Sequence, residues 1–376
     1  GNAANSLSGQ VNVSSVNHAT LRTSGALLLG NITTQGNLQG TSAGSITQAG
    51  GTALSVGGTT QLTASGASAD VTLGSGNTLT GEVSLTAGRN LSVTSAGALT
   101  LGALSAGGQL TLSAGGPITQ SAAWAVTGTS SLTATGSDIT LSDAGNAMQG
   151  AISLTGASAT LANTGATVLG NATLTGTLSV TGTGAISQAG GSTLTVQGNA
   201  TFSAGAGTDV TLDATGNQFS SLVSVSQGRD ATINNGAALQ LGTVSASRNV
   251  VLVSVGNLTQ SGALSAGGTT SVTATGGQVT LNQGGNALTG SFSATGTSVT
   301  LNNSQASVLG NISTGALDVT STQGVSQSLG TSVTATGAVT ITADSSHDVL
   351  LNRNNSLSGL VTVTAARDAT VNTSGV

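Results

Sequence analysis

One recurring pentapeptide constrains this chain more than any other feature. Asn-x-apolar-x-Gly appears as Asn5-Ser-Leu7-Ser-Gly9, Asn77-Thr-Leu79-Thr-Gly81, Asn146-Ala-Met148-Gln-Gly150, Asn286-Ala-Leu288-Thr-Gly290 and Asn355-Ser-Leu357-Ser-Gly359. Asn217-Gln-Phe219-Ser-Ser221 is the variant without the last Gly. The leading Asn thus falls at a nearly even spacing, roughly 70 residues from one copy to the next. Three further markers keep the same beat. Leu-Gly, read as closing a strand, stands at Leu29-Gly30, Leu101-Gly102, Leu169-Gly170, Leu241-Gly242 and Leu309-Gly310. An apolar-Ser/Thr-Gln triplet ends at Gln48, Gln120, Gln188, Gln260 and Gln327, and a strand opens on Asp70, Asp138, Asp209 and Asp348, with Gln278 once in place of Asp. Four markers in step define an array of duplicated units.

Alternate units differ. Asn31, Asn171 and Asn311 follow Leu-Gly in every second unit, whereas the units between carry Ala103 or Thr243 there. Those units carry instead Arg89-Asn90, Arg229-Asp230 and Arg367-Asp368. The duplicated block therefore reads as a pair of units.

Within a unit the apolar residues alternate with Ser and Thr at a period of two, the signature of strands. Ile152-Ser-Leu154, Ala159-Thr-Leu161, Leu178-Ser-Val180 and Val210-Thr-Leu212 are examples, separated by Gly, Asn, Asp or Ser turn residues. Eight or nine short strands per unit fit three coils of three strands, roughly 23 residues per coil and about 16 rungs in all. The expected fold is all-β, a three-faced parallel β-helix forming a single repeat shaft over residues 1–376, with units starting near 5, 77, 146, 217, 286 and 355. A β-propeller with one unit per blade needs longer antiparallel strands than this spacing allows.

Composition agrees. Only 5% of residues are charged, 6 Arg with no Lys against 11 acidic residues, while 37% are hydrophobic. Disordered chains show the opposite balance. Without clustered cations the chain is not expected to bind nucleic acid or an anionic membrane, and no run of 18 apolar residues suggests membrane insertion. There is no Cys, hence no disulfide or thiolate metal site. Because it opens on Gly1, the chain reads as an internal piece of something longer.

The rare residues point inward rather than to chemistry. Phe219 and Met148 occupy the Leu column of the pentapeptide, while Trp124, Phe202 and Phe292 each replace an aliphatic at an equivalent place. Polysaccharide-cleaving carboxylates work as close pairs, whereas the recurring Asp residues read as about 14 Å apart, three strand spacings. Ser346-His347-Asp348 has the residue types of a nucleophilic triad, but chain neighbours on a strand or turn point different ways. The Arg residues read as solvated corners with local carboxylate contacts. Thr residues, though plentiful, read as scattered over all faces rather than ranked. No catalytic, cofactor or metal role is expected, and Asn5, Asn77, Asn146, Asn217, Asn286, Asn355, Gln48, Gln120, Gln188, Gln260 and Gln327 are read as structural repeat positions.

Leu-Gly-Asn-Ala-Thr-Leu-Thr-Gly (169–176), Gly-Ala-Ile-Ser-Gln-Ala-Gly (184–190) and Asn-Ala-Leu-Thr-Gly (286–290) resemble the shafts of filamentous-haemagglutinin-type exoproteins, the large bacterial adhesins exported by two-partner secretion. The resemblance implies a right-handed β-helical shaft at the cell surface or outside the cell, exported through an outer-membrane transporter. It offers no site residue to carry over. The expected role is a structural shaft of an adhesin or fibre, not an enzyme, extending a distal tip. The alternative is a binding module whose partner is a host glycan, a surface receptor or a neighbouring fibre; a polysaccharide-acting enzyme ranks lower.

Overall fold

Alternation translates directly into burial. In Leu110–Ala114 the side chains of Leu110, Leu112 and Ala114 are sealed from water while Thr111 and Ser113 face outward. The computed structural model describes residues 5–374, and its regular elements are 43 short strands without a helix. The registered strand pairs are parallel, each strand lying beside its counterpart one turn along the chain, as in Leu91↔Leu110↔Ser130↔Ile152. This is the expected parallel β-solenoid, with about 18 turns counted over the chain. The chain divides into two units, Gly1–Thr183 and Gly184–Val376.

In the first unit two stacks of strands alternate along the coil. One runs through Gln10–Val16, Leu27–Thr34, Ile46–Gln48, Val71–Leu79, Leu91–Ser95, Leu110–Ala114, Ser130–Ala134, Ile152–Gly156 and Thr167–Leu174. Seven register steps along it lead from the strand Leu27–Thr34 to the strand Thr167–Leu174, its equivalent two repeats on. One repeat therefore spans three and a half turns, and successive repeats start on opposite stacks. Register steps vary in length, from the short one at Ile152↔Leu169 to the long one at Ile46↔Val71. Many turns are thus shorter than strand counting suggests, which gives about 18 turns rather than about 16.

The half-integral period comes from strands that divide. Val83–Ala87 is a single strand. Its neighbour one turn on, Leu99–Ala106, bends between Leu101 and Leu104 and presents two arms. The arms continue separately as Ile118–Gln120 with Trp124–Val126, then Ile139–Leu141 with Ala147–Met148. The second arm stops there, and the first carries on into Ala159–Asn163. The second unit repeats the device. Leu222–Gln227 opens into Leu239–Ala246, whose second arm ends at Ala287–Leu288. While one stack is divided the other is single, so each turn keeps three short faces around one core.

Leu-Gly marks the bend, not the end of a strand. Leu29-Gly30 and its equivalents lie in the middle of longer strands such as Leu27–Thr34, where two successive residues are buried, an inserted residue of the β-bulge kind. A Cβ on Gly170, Gly242 or Gly310 would collide with the hydroxyl of Ser153, Ser224 or Ser293 on the previous turn. That Ser also serves the bend: Ser293 Oγ accepts the Asn311 N–H at 3.1 Å.

The core is aliphatic. Trp124, Phe202, Phe219, Phe292 and Met148 are all buried, as the repeat columns predicted. Phe202 meets Phe219 edge to face, centroids 6.3 Å apart.

Candidate functional site

The recurring polar residues assemble into one buried motif. At the end of each divided segment the repeat Asn folds inward and meets the repeat Gln of the preceding turn, amide against amide. Asn146 Oδ1 accepts from Gln120 Nε2 at 2.9 Å, and Asn146 Nδ2 donates to Gln120 Oε1 at 2.9 Å. Asn77 with Gln48, Asn217 with Gln188, Asn286 with Gln260 and Asn355 with Gln327 repeat the exchange. These five Asn side chains have no exposed surface. Asn5, whose side chain is exposed, retains the backbone role alone: its carbonyl accepts the Ser24 N–H at 2.8 Å.

Each buried Asn also fills the gap that a dividing strand leaves in the ladder. Its Oδ1 takes a second bond, from the N–H of Leu54, Trp124, Leu194, Leu264 or Val333, the first residue of the second arm. Its Nδ2 reaches a carbonyl one turn on: Thr94, Ala162, Asn234, Asn302 or Asn372. A buried backbone group without a partner costs about 1–3 kcal/mol, so an amide that satisfies both turns is what permits an arm to stop inside the core.

A second polar column, not identified from the sequence, caps the stopped arm itself. Asn163 Oδ1 accepts the Met148 N–H at 2.8 Å and Asn163 Nδ2 donates to the Met148 carbonyl at 3.1 Å. Asn235 clasps Phe219, and Asn303 clasps Leu288, in the same way. At Leu7 and Leu357 a Thr hydroxyl, of Thr23 or Thr373, accepts the N–H alone at 3.4 Å. The signal was present in the spacing: each capping residue follows its arm by 15 or 16 residues. Because the column mixes Asn with Thr, it carries no fixed word.

Charges gather at the corner that opens the Asp-led strands. Arg89 grips Asp70 with two bonds, Nε to Oδ1 at 2.9 Å and Nη2 to Oδ2 at 2.5 Å. Arg229 with Asp209 and Arg367 with Asp348 are built alike, so the Arg of alternate units pairs with the Asp one turn earlier. The hydrogen bonds from Arg hold all three carboxyls below the usual carboxylate range, outweighing their partial desolvation. Asp70 and Asp209 also accept the N–H of Asn90 and Asp230, and Asp138, in a unit without the Arg, accepts that of Ser158.

Ser346, His347 and Asp348 do not form a triad. Asp348 is held by Arg367, and the carboxylate beside the histidine is Asp344, which also accepts the Ser346 hydroxyl directly. Ser346 Oγ and Asp344 Oδ1 both approach the same imidazole nitrogen, Nδ1, at 3.0 and 3.2 Å. A relay needs them on opposite nitrogens. The Ser346 hydroxyl and N–H, with His347, pull Asp344 down to about 2. Among the described residues no three His, Asp or Glu side chains gather to hold a metal ion, and no helix is long and apolar enough to cross a membrane.

A family model described as repeats of unknown function (DUF5649) matches residues 16–86, 88–155, 156–226, 228–295 and 296–364. No curated protein and no solved structure matches the chain.

Proposed function

We propose, for a chain that belongs to the DUF5649 family of repeats, the role of a structural shaft in a secreted or surface-held bacterial adhesin or fibre. Its task is to carry a distal segment away from the cell. One observation carries this reading: the residues that recur from repeat to repeat are spent on the coil's own hydrogen bonds. Asn77, Asn146, Asn217, Asn286 and Asn355 are sealed in the core with their amides saturated. What the repeats hold in common is therefore the construction of the coil.

Export through an outer-membrane transporter of the two-partner type belongs to the same proposal. A Cys-free chain whose strands pair with the turns immediately before and after can fold progressively as it emerges. On this reading the chain performs no catalysis.

The test uses an epitope tag inserted at Gly136, an exposed turn residue around which an added Cβ would meet nothing within 4 Å. On intact producing cells the tag is expected to be open to antibody and to added protease, and to stay inside the cell when the transporter is deleted. A tag that remains inside wild-type cells overturns the proposal.

A further inference from the structure

In the second unit the outward-facing hydroxyls of Thr273, Thr295, Ser313 and Thr334 stand side by side on four consecutive turns. They are ranked, contrary to the scattering read from the sequence. Neighbouring turns are about 4.8 Å apart, so the row extends for about 14 Å along the coil. It forms one side of a shallow, open cleft of about 460 Å³. Gly276, Gly296 and Gly315 also line it, and its lining contains no charged residue.

These hydroxyls differ from others nearby in what they bond. Ser304 and Thr322 donate to the carbonyls of Asn286 and Ser304, and Thr289 to that of Gly267, so they help to close the coil. Thr314, in the cleft itself, donates to the Ala316 carbonyl. Thr273, Thr295, Ser313 and Thr334 take no such bond among the described residues. Each keeps a donor and two acceptor positions directed to the outside.

We propose that this cleft seats a strand of neutral polysaccharide lying along the coil. A polyol offers alternating donors and acceptors that a row of hydroxyls can match, and one sugar ring is comparable in length to the rise of one turn. The charge-free lining gives nothing to a carboxylated or sulfated chain, which the net charge of −5 repels. The ionic groups of this unit lie elsewhere, in pairs such as Arg229 with Asp209 and Arg367 with Asp348. The inference goes beyond the shaft role, since a spacer that binds nothing would still reach.

Native electrophoresis through gels containing a soluble polysaccharide detects weak binding of this kind. The probes are hydroxyethylcellulose, galactomannan and dextran, with alginate as the acidic comparison. The chain is expected to be retarded in at least one neutral gel and not in alginate. Thr295→Val with Thr334→Val keeps side-chain shape on the outer strand face while deleting two hydroxyls, and is expected to abolish most of the retardation. Thr232→Val with Thr340→Val, outward residues away from the cleft whose strand neighbours include Val251 and Asp318 rather than an unbroken row of hydroxyls, is expected to leave it unchanged. Circular dichroism confirms that both variants fold. Absence of retardation in all three neutral gels, retardation that survives the cleft variant, or stronger retardation in alginate overturns the proposal. None of these results bears on surface exposure, which the Gly136 tag reports separately.

Discussion

Asn286 and Gln260 face one another across a turn of the coil, each amide donating to and accepting from the other at 2.9 and 2.8 Å, both shielded from water. Asn286 also accepts the Leu264 N–H and donates to the carbonyls of Leu281 and Asn302. Asn286→Ala strands several buried partners together. At about 1–3 kcal/mol for each buried group left unpaired, the loss is expected to exceed about 3 kcal/mol. Gln260→Ala removes one partner and should cost less, and the two changes together should cost less than their sum. Hydrogen exchange at the Leu264 amide reads the effect locally, which suits a repeat coil that can open in segments. Full additivity, or an unchanged Leu264 amide, would show that the exchange of bonds does not hold the junction.

The direction of side chains along one strand makes a second prediction. Leu288 is buried at the end of a stopped arm, and neighbouring Thr289 is exposed, with its hydroxyl on the Gly267 carbonyl at 3.0 Å. Leu288→Asp places an unpaired carboxylate in the core and should cost several kcal/mol, on the order of 3–5. Thr289→Asp forfeits a solvent-exposed hydrogen bond and should cost about 1 kcal/mol or less. Resistance to protease is the measurement, and equal sensitivity of the two variants would contradict the inward assignment.

At the bend, Gly242 and Ser224 share one volume. Gly242→Ala drives a Cβ into the Ser224 hydroxyl, and overpacking of this kind costs about 1–3 kcal/mol. Ser224→Ala in the same chain removes the obstructing oxygen and should restore most of the loss. Thermal denaturation of the single and double variants distinguishes this from a general dislike of Ala at the bend. A double variant no more stable than Gly242→Ala alone would mean that Gly is needed for backbone reasons instead.

Acid should loosen the charged corners. Asp70, Asp209 and Asp348 are held below the ordinary carboxylate value of 3.8 by their Arg partners, and Asp344 lies at about 2. A carboxyl whose folded value is depressed binds more protons in the unfolded chain. Its contribution is complete above the unfolded value and is lost as pH falls through the folded one. Thermal stability should therefore be insensitive to these groups above about pH 5 and decline between roughly pH 4 and 2. Asp209→Asn with Asp348→Asn should flatten that decline. An unchanged pH profile in the double variant would assign the acid sensitivity to other groups.

The amount of this fold legible in the sequence follows from which constraints are periodic. Strand alternation such as Leu110, Leu112 and Ala114 with Thr111 and Ser113 identifies strands because burial acts on every second residue. The nearly equal spacing of Asn77, Asn146 and Asn217 identifies a repeat, and the columns place Trp124 and Phe219 inside. The division of strands was not legible. Leu101-Gly102 looks the same whether a strand ends there or bends, and the crowding of Gly102 by the Glu82 and Ser84 side chains on the previous turn is not visible in the sequence. Once the bend is missed, three turns per repeat seem as natural as three and a half, and outward Thr residues cannot be aligned with one another. For the same reason the amide exchange between Gln48 and Asn77, 29 residues apart, was visible as two markers but not as one contact.

Thr270 gives the last prediction, because here the coil carries a cost it does not need. Its side chain is buried at the start of Thr270–Thr275, and its hydroxyl has no partner. Thr60 and Ser130 hold the same place in earlier repeats with the same orphaned oxygen, while Ala200 and Val339 show the place filled without one. Val matches Thr in shape and branching, so Thr270→Val keeps the packing and the strand preference while removing a desolvated donor. Replacing an unsatisfied buried polar group by an apolar one of the same shape should leave stability unchanged or raise it by about 1 kcal/mol. Denaturant titration of the variant beside the parent chain measures it. A clear loss of stability would show that the Thr270 hydroxyl finds a partner in solution, and the same expectation would then fall for Thr60.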